Sequence, residues 1–180
     1  MPERLAIPGF ISGARWRADD SGQNYFTLYT LEGPEIARSD RYLSRLNDPT
    51  PWTRRVMAGF RENSRCVGAF ERSLGALPAE RVVVARLQYA SAESIGTPWA
   101  ERTMAIAGVV GYHLGRADAA ATSLATTERQ GREVREPAGM VIVALDSDAD
   151  AAAVVDGLKA ALIGAQLEAV AVFNRELALQ

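Results

Sequence analysis

The chain has 180 residues, of which 48% are hydrophobic and 23% charged, and its net charge is -2. This is an ordinary globular composition for one large or two small domains, and near-neutrality without a basic stripe argues against a nucleic-acid partner. One cysteine excludes an internal disulfide and fits a reducing compartment. No apolar run approaches the about 18 residues of a membrane span. The opening Met-Pro-Glu-Arg lacks the apolar core of a signal peptide, so a cytoplasmic protein without membrane contact is expected.

Residues 1–6 read as the last turn of a helix or a loose end, and Pro8-Gly9 as a turn. From Phe10 to Arg17 a strand follows. It sets Ile11, Gly13, Arg15 and Arg17 on one face and Phe10, Ser12, Ala14 and Trp16 on the other. Asp19 to Gly22 reads as a hairpin turn. Tyr25–Leu31 is aromatic and β-branched, the clearest strand of the chain, with Tyr25, Thr27 and Tyr29 sharing a face. Gly33-Pro34 ends it and starts a helix over Glu35–Leu46. Thr50-Pro51 caps a second helix, to about Arg61, whose Trp52, Val56, Met57 and Phe60 form one apolar stripe. Ser64–Leu74 reads as a strand, and Gly75–Ala79 as a linker between halves 1–79 and 80–180.

Arg81–Tyr89 is a strong strand, with Val82, Val84, Arg86 and Gln88 on one face. Ser91–Ala105 is helical in part, and Gly108–Gly115 is a strand. Ala117–Pro137, polar and rich in Thr, Glu and Arg, reads as a long mobile connection. Ala138–Leu145 is a strand, Ala151–Gly164 a helix behind an aspartate-rich turn, and Glu168–Leu179 the last strand.

The stretch Ile7–Asp19 recurs as Ile106–Asp118. Identical positions are Ile7/Ile106, Gly9/Gly108, Arg17/Arg116, Ala18/Ala117 and Asp19/Asp118. With one residue inserted, Glu3-Arg4 also matches Glu101-Arg102. An internal repeat bears on the whole architecture. The second half reads β-α-β-β-α-β, the ferredoxin-like unit. The first half has the same β-β pair without an opening strand and most of the first helix. That strand is internal to a ferredoxin-like sheet, so an upstream segment or another chain is expected to fill its place.

Pro2-Glu-Arg-Leu-Ala-Ile-Pro-Gly-Phe10, opening a strand within two such halves, resembles the dimeric α+β barrel superfamily in its fused, tandem form. EthD-like and stress-responsive A/B-barrel proteins are the most similar in kind. Asn47-Asp-Pro-Thr-Pro-Trp-Thr-Arg-Arg55 is similar to bacterial members of that group. The resemblance implies an α+β fold of two ferredoxin-like repeats, the first incomplete, packed through their sheets into a barrel whose inner faces enclose a small ligand. In relatives a Glu-His pair precedes the motif. Here Met1 stands next to the place of that histidine and Trp99 occupies the equivalent region of the second half, so the family's acid/base residue is absent.

The candidates for chemistry are polar residues on apolar strands. His113 is the only histidine, flanked on its face by Gly111 and Gly115. Its ordinary pKa of about 6.5 suits proton transfer, and it is the candidate catalytic residue; the alternative is a hydrogen-bonded structural histidine. Arg15, Arg86 and Gln88 are candidate ligand contacts, an inward arginine being able to clamp a carboxylate, against surface roles for the same residues. Tyr25 and Tyr29 are candidate pocket walls, or packed tyrosines with hydroxyls at the rim. Trp16, Trp52 and Trp99 read as core or packing residues. A lone histidine with no matching Cys/His set makes no zinc site. Asp146, Asp148 and Asp150 imitate a calcium loop, but Ala151 and Gly157 stand where that loop needs Gly and Glu. Cys66 reads as a buried structural thiol. Several barrel relatives hold haem through one histidine; nothing in this sequence demands it, and no cofactor is expected.

Two functions follow as expectations. One is a small-molecule enzyme without organic cofactor, implied by the resemblance to be an isomerase, cyclase or oxygenase-like enzyme acting on an aromatic or polyketide-like compound. The other is a binding or structural protein with a vestigial pocket. A cavity where His113 and an arginine converge favours the first; a closed apolar interior with His113 turned outward favours the second. Exposed sheet edges make a homodimer through strand pairing the candidate assembly.

Overall fold

Arg81–Leu87 (β5) is apolar on both faces because both are covered. Val83, Ala85 and Leu87 pack on one side, Val82 and Val84 on the other, all but fully buried. The computed structural model containing it describes residues 2–18, 24–88, 97–162 and 166–180. The Asp19–Gly22 turn, Tyr89, the first part of Ser91–Ala105 and the end of Ala151–Gly164 lie outside the described residues.

In chain order the elements are α1 (Pro2–Leu5), β1 (Phe10–Ala18), β2 (Tyr25–Leu31), α2 (Asp40–Asn47), α3 (Pro51–Met57), β3 (Asn63–Ser64), β4 (Gly68–Leu74) and β5. Then come α4 (Thr97–Met104), β6 (Val109–Ala117), α5 (Ala119–Thr122), β7 (Val134–Arg135), β8 (Gly139–Leu145), α6 (Ala151–Ala161) and β9 (Leu167–Leu179). Seven strands form one curled antiparallel sheet in the order β2-β1-β9-β5-β8-β6-β4, and β3 pairs with β7 in a short parallel ladder. The fold class is therefore α+β, as expected. Strands from both sides of the Gly75–Ala79 linker share this sheet: β1 pairs with β9, and β4 with β6.

One face carries helices α4 and α6. Asp150 caps α6, its carboxylate accepting from the amides of Ala152 and Ala153, and Val154, Leu158 and Ala161 fall on the buried side of the helix. Val154 and Leu158 meet Leu87, Tyr112, Leu114, Val141 and Val143 in the larger core. The other face gathers Ala14, Trp16, Phe26, Val82, Val84, Ile142 and Phe173. Phe26 and Phe173 lie on strands separated by β1, yet their ring centroids are 5.8 Å apart. The two rings converge above β1 on the helix-free, concave face of the curled sheet.

The recurring stretch adopts one local geometry twice. Ile7 N–H donates to Arg4 O at 3.0 Å, and Ile106 N–H to Thr103 O at 3.1 Å. Gly9 and Gly108 have φ of 90° and 82°. Their carbonyls accept from Glu32 N–H (2.9 Å) and Asp146 N–H (3.0 Å). A register shift follows each turn, between Phe10 and Ser12 and between Val109 and Gly111. Because Arg4 corresponds to Thr103, the match runs on without the inserted residue that aligned Glu3-Arg4 with Glu101-Arg102.

Three expectations need correction. The helix over Glu35–Leu46 is broken at Ser39, which ends a 3-10 turn over Pro34–Arg38 and caps α2. Its hydroxyl donates to Ile36 O and accepts from Tyr42 N–H, a local alternative to continuing the helix. The second helix stops at Met57, and its stripe is mostly in solvent: Trp52 is 60% exposed and Phe60 47%, with Met57 buried. Trp52 is thus not a core residue, whereas Trp16 and Trp99 are. Finally, the polar Ala117–Pro137 stretch is built, carrying α5, a 3-10 turn over Thr127–Arg129 and β7. Asp118 caps α5, and the Thr122 hydroxyl exchanges bonds with the Val67 backbone.

Candidate functional site

Alternation along β6 turns Tyr112 and Leu114 to the helix-covered core and His113 to the concave face. His113 is 2% exposed. Across the ladder it stands opposite Ser73 of β4, and the Ser73 hydroxyl lies 2.6 Å from its Nδ1. The Phe70 ring flanks the imidazole, with centroids 5.6 Å apart. Nε2 is buried and has no hydrogen-bond partner among the described residues. It leans over Gly111, where a Cβ would come within 3.2 Å of Nε2 and 3.0 Å of both Leu74 O and the Ala144 methyl. Glycine two residues before His113 is thus what admits the ring.

Burial lowers the pKa of His113, with no nearby charge opposing it. The imidazole is therefore neutral at physiological pH, with one nitrogen protonated and the other bare. If Ser73 accepts from Nδ1–H, Nε2 presents a lone pair; if Ser73 donates to Nδ1, Nε2 presents a hydrogen. The first tautomer is a general base, the second a hydrogen-bond donor.

Arg86 shares the concave face with Val82 and Val84 and is 8% exposed. It lies opposite Met140, which is itself opposite Gly115, whereas His113 is reached from Val84 through Ile142. Arg86 is therefore two strands over and one pleat along from His113, about 10 Å across the sheet. Burial lowers its pKa, and the Glu168 carboxylate acts in the opposite sense. Glu168 is the extra residue where the β5–β9 register shifts between Arg86 and Leu87, and Arg135 approaches it at 3.8 Å.

The other sequence candidates lie apart. Arg15 projects from β1 opposite to Ala14 and Trp16; it pairs with Glu176 at 3.0 Å and stacks over Tyr25 at 5.3 Å. Tyr25 is 52% exposed. Tyr29 packs edge-on against Phe10, and its pKa is raised mainly by burial. Gln88 is exposed just past β5. The structure thus puts His113 and Arg86 on one face of the sheet, two strands apart, and Arg15, Tyr25, Tyr29 and Gln88 elsewhere. Ser73 and Phe70 accompany His113 and Glu168 accompanies Arg86, neighbours that only strand register reveals. Cys66 has its thiol pushed up to about 11 by burial, in keeping with a structural role.

Two cavities accompany this arrangement. One of about 170 Å³ lies at the Trp16 end of the concave face, between Leu28, Thr30, Leu77 and Pro78. Another, of about 230 Å³, lies outside the sheet, between α2, α3 and residues 124–134. Neither is lined by His113 or Arg86.

No protein-family model, curated protein or solved structure matches the chain. The site therefore has to be read from its own chemistry. Among the described residues no helix is long and apolar enough to cross a membrane.

Proposed function

We propose that this is a small-molecule-binding α+β barrel protein whose His113 exchanges a proton with a weakly acidic group of a ligand on the concave face, a ligand with a largely apolar body and one anionic end. The observation carrying this is a buried neutral imidazole with one nitrogen held by Ser73 and the other unpartnered. The order β9-β5-β8-β6, with α4 and α6 on one face, supports a ferredoxin-like unit for the second half. The repeated glycine turn before β1 and β6 supports an incomplete copy in the first half, and hence the likeness to fused α+β barrels.

The lowered pKa narrows the chemistry. A buried imidazolium is costly, so a proton taken by Nε2 has to be returned promptly rather than lost to water. That favours a proton-neutral rearrangement, an isomerisation or cyclisation of an aromatic or polyketide-like compound, with no organic cofactor. Arg86 then orients an anionic end of the ligand from the far side of the same face.

A second reading, a non-catalytic barrel, draws on a specific observation: Trp16, Val84, Ile142 and Phe173 fill the concave face, each at most 5% exposed. Native mass spectrometry of the purified chain beside its denatured intact mass separates the two. The binding reading expects extra mass that disappears on denaturation and is diminished in His113→Gln and Arg86→Gln. A clean chain mass that stays clean after incubation with aromatic and polyketide-like compounds favours the second reading. The same spectra test the proposal that β2 and β4, the sheet edges, support a homodimer.

A further inference from the structure

The cleft between α2, α3 and residues 124–134 lies away from the concave face and carries polar groups that the fold leaves unused. Its apolar wall consists of buried Leu46 and Met57 with half-exposed Phe60 beside them. Ser64, Arg65 and Thr126 line it as well, and among the described residues Ser64 Oγ, Arg65 Nη2 and Thr126 Oγ1 are buried without hydrogen-bond partners. Buried polar groups are rarely left unpaired, and three around one cleft mark a place built to be occupied.

The charge around the cleft is unbalanced in one direction. Glu128 is committed to Arg4, whose Nη2 reaches both its carboxylate oxygens at 2.6 and 2.7 Å. Glu136 is committed to Ser123 and Arg129. Arg65, which lines the cleft, has its guanidinium fixed by Nη1, which donates to the carbonyls of Ala121 (2.8 Å) and Thr122 (2.6 Å). Arg132 lies over the Phe60 ring at 6.0 Å and makes no ion pair among the described residues. Arg132 thus has no ion pair among the described residues, while Arg65 shares the Glu136 carboxylate's field with Arg129, both next to an apolar wall.

We propose that this cleft binds a small organic monocarboxylate on a ring-sized apolar body. The carboxylate accepts from Arg65 Nη2 and from the Ser64 and Thr126 hydroxyls, three donors for two oxygens. The body lies on Leu46 and Met57, with Phe60 and Arg132 alongside. A volume of about 230 Å³ equals the liquid share of about eight waters, which suits an anion of about ten non-hydrogen atoms. The inference stands independently of the chemistry assigned to His113.

Phenylacetate is the probe, followed by amide chemical shifts of the full chain, with acetate as the head alone and benzyl alcohol as the uncharged body. Phenylacetate is expected to saturate with a Kd in the millimolar range or below, shifting amides around residues 57–65 and 124–134. Both controls are expected to bind at least about tenfold more weakly, as for loss of one charge-assisted contact set or of the apolar body. Ser64→Ala removes a hydroxyl with no hydrogen-bond partner among the described residues, and Arg132→Gln removes only a contact with the half-exposed Phe60 ring, so both are expected to fold normally. Weaker phenylacetate binding in either one supports the site. No saturation in the millimolar range, equal binding of benzyl alcohol, or unchanged affinity in both folded variants overturns it.

Discussion

At the scale of the residue, His113 couples its environment to the pH dependence of the whole protein. Above a pH of about 6.5 the imidazole is neutral in both the folded and the unfolded chain. As pH falls below that value the unfolded chain takes up the proton first, because burial lowers the folded pKa. Stability therefore declines from about pH 6.5 downward and levels off below the folded pKa, by about 1.4 kcal/mol for each unit of lowering. No other histidine competes. The thermal midpoint of the wild type, relative to His113→Gln, is expected to fall between about pH 7 and pH 5. A constant difference would mean that the imidazole is not desolvated. His113 was legible as a candidate because it is unique and lies on an alternating strand. Its partner Ser73 was not, because register between β4 and β6 is a non-local property that neither strand's pattern encodes.

At the scale of the element, the two glycine turns offer a controlled pair. Both have positive φ, which costs a side-chain-bearing residue about 1–3 kcal/mol. Their surroundings differ. A Cβ at Gly108 would sit 2.4 Å from the Ala149 methyl and 2.8 Å from Ala149 Cα, whereas at Gly9 its three nearest neighbours would all belong to the Ile36 side chain, the first at 2.5 Å. Ile36 can change rotamer, but the backbone of Ala149 cannot withdraw. Chemical denaturation should therefore rank Gly108→Ala as the more destabilising substitution by at least about 1 kcal/mol. Strands with β-branched runs, such as β5 and β8, could be read directly from their composition. Ser39 could not be read as a break, since it sits inside a periodic apolar pattern. The exposed stripe of α3 shows that helical spacing establishes which residues share a side, but not whether anything covers that side.

At the scale of the whole molecule, protection should follow sheet order. β5 and β8 have bonded neighbours on both sides, lie under α4 and α6, and carry mostly buried residues. β2 and β4 are edges, and β4 is largely exposed. Hydrogen exchange is expected to be slowest in β5 and β8 and fastest in β2 and β4, the two edges opening before the centre. Rapid exchange in β5 would contradict this hierarchy. The α+β class followed from the alternation of elements along the chain. The placement of β1-β2 and β4 at opposite edges did not, because it depends on which strands from distant parts of the sequence meet.

The ladder between β1 and β9, with Arg15 opposite Leu177 and Ala18 opposite Phe173, also bears on how the chain comes off the ribosome. Synthesis delivers β1 long before β9. Until β9 emerges, the hairpin edge that β9 will cover stays unpaired, and Trp16 and Phe26 lack Phe173. From the synthesis of β1 to that of β9, then, a sticky aromatic strand pair waits beside a growing chain, a span in which a chaperone's grip would count most.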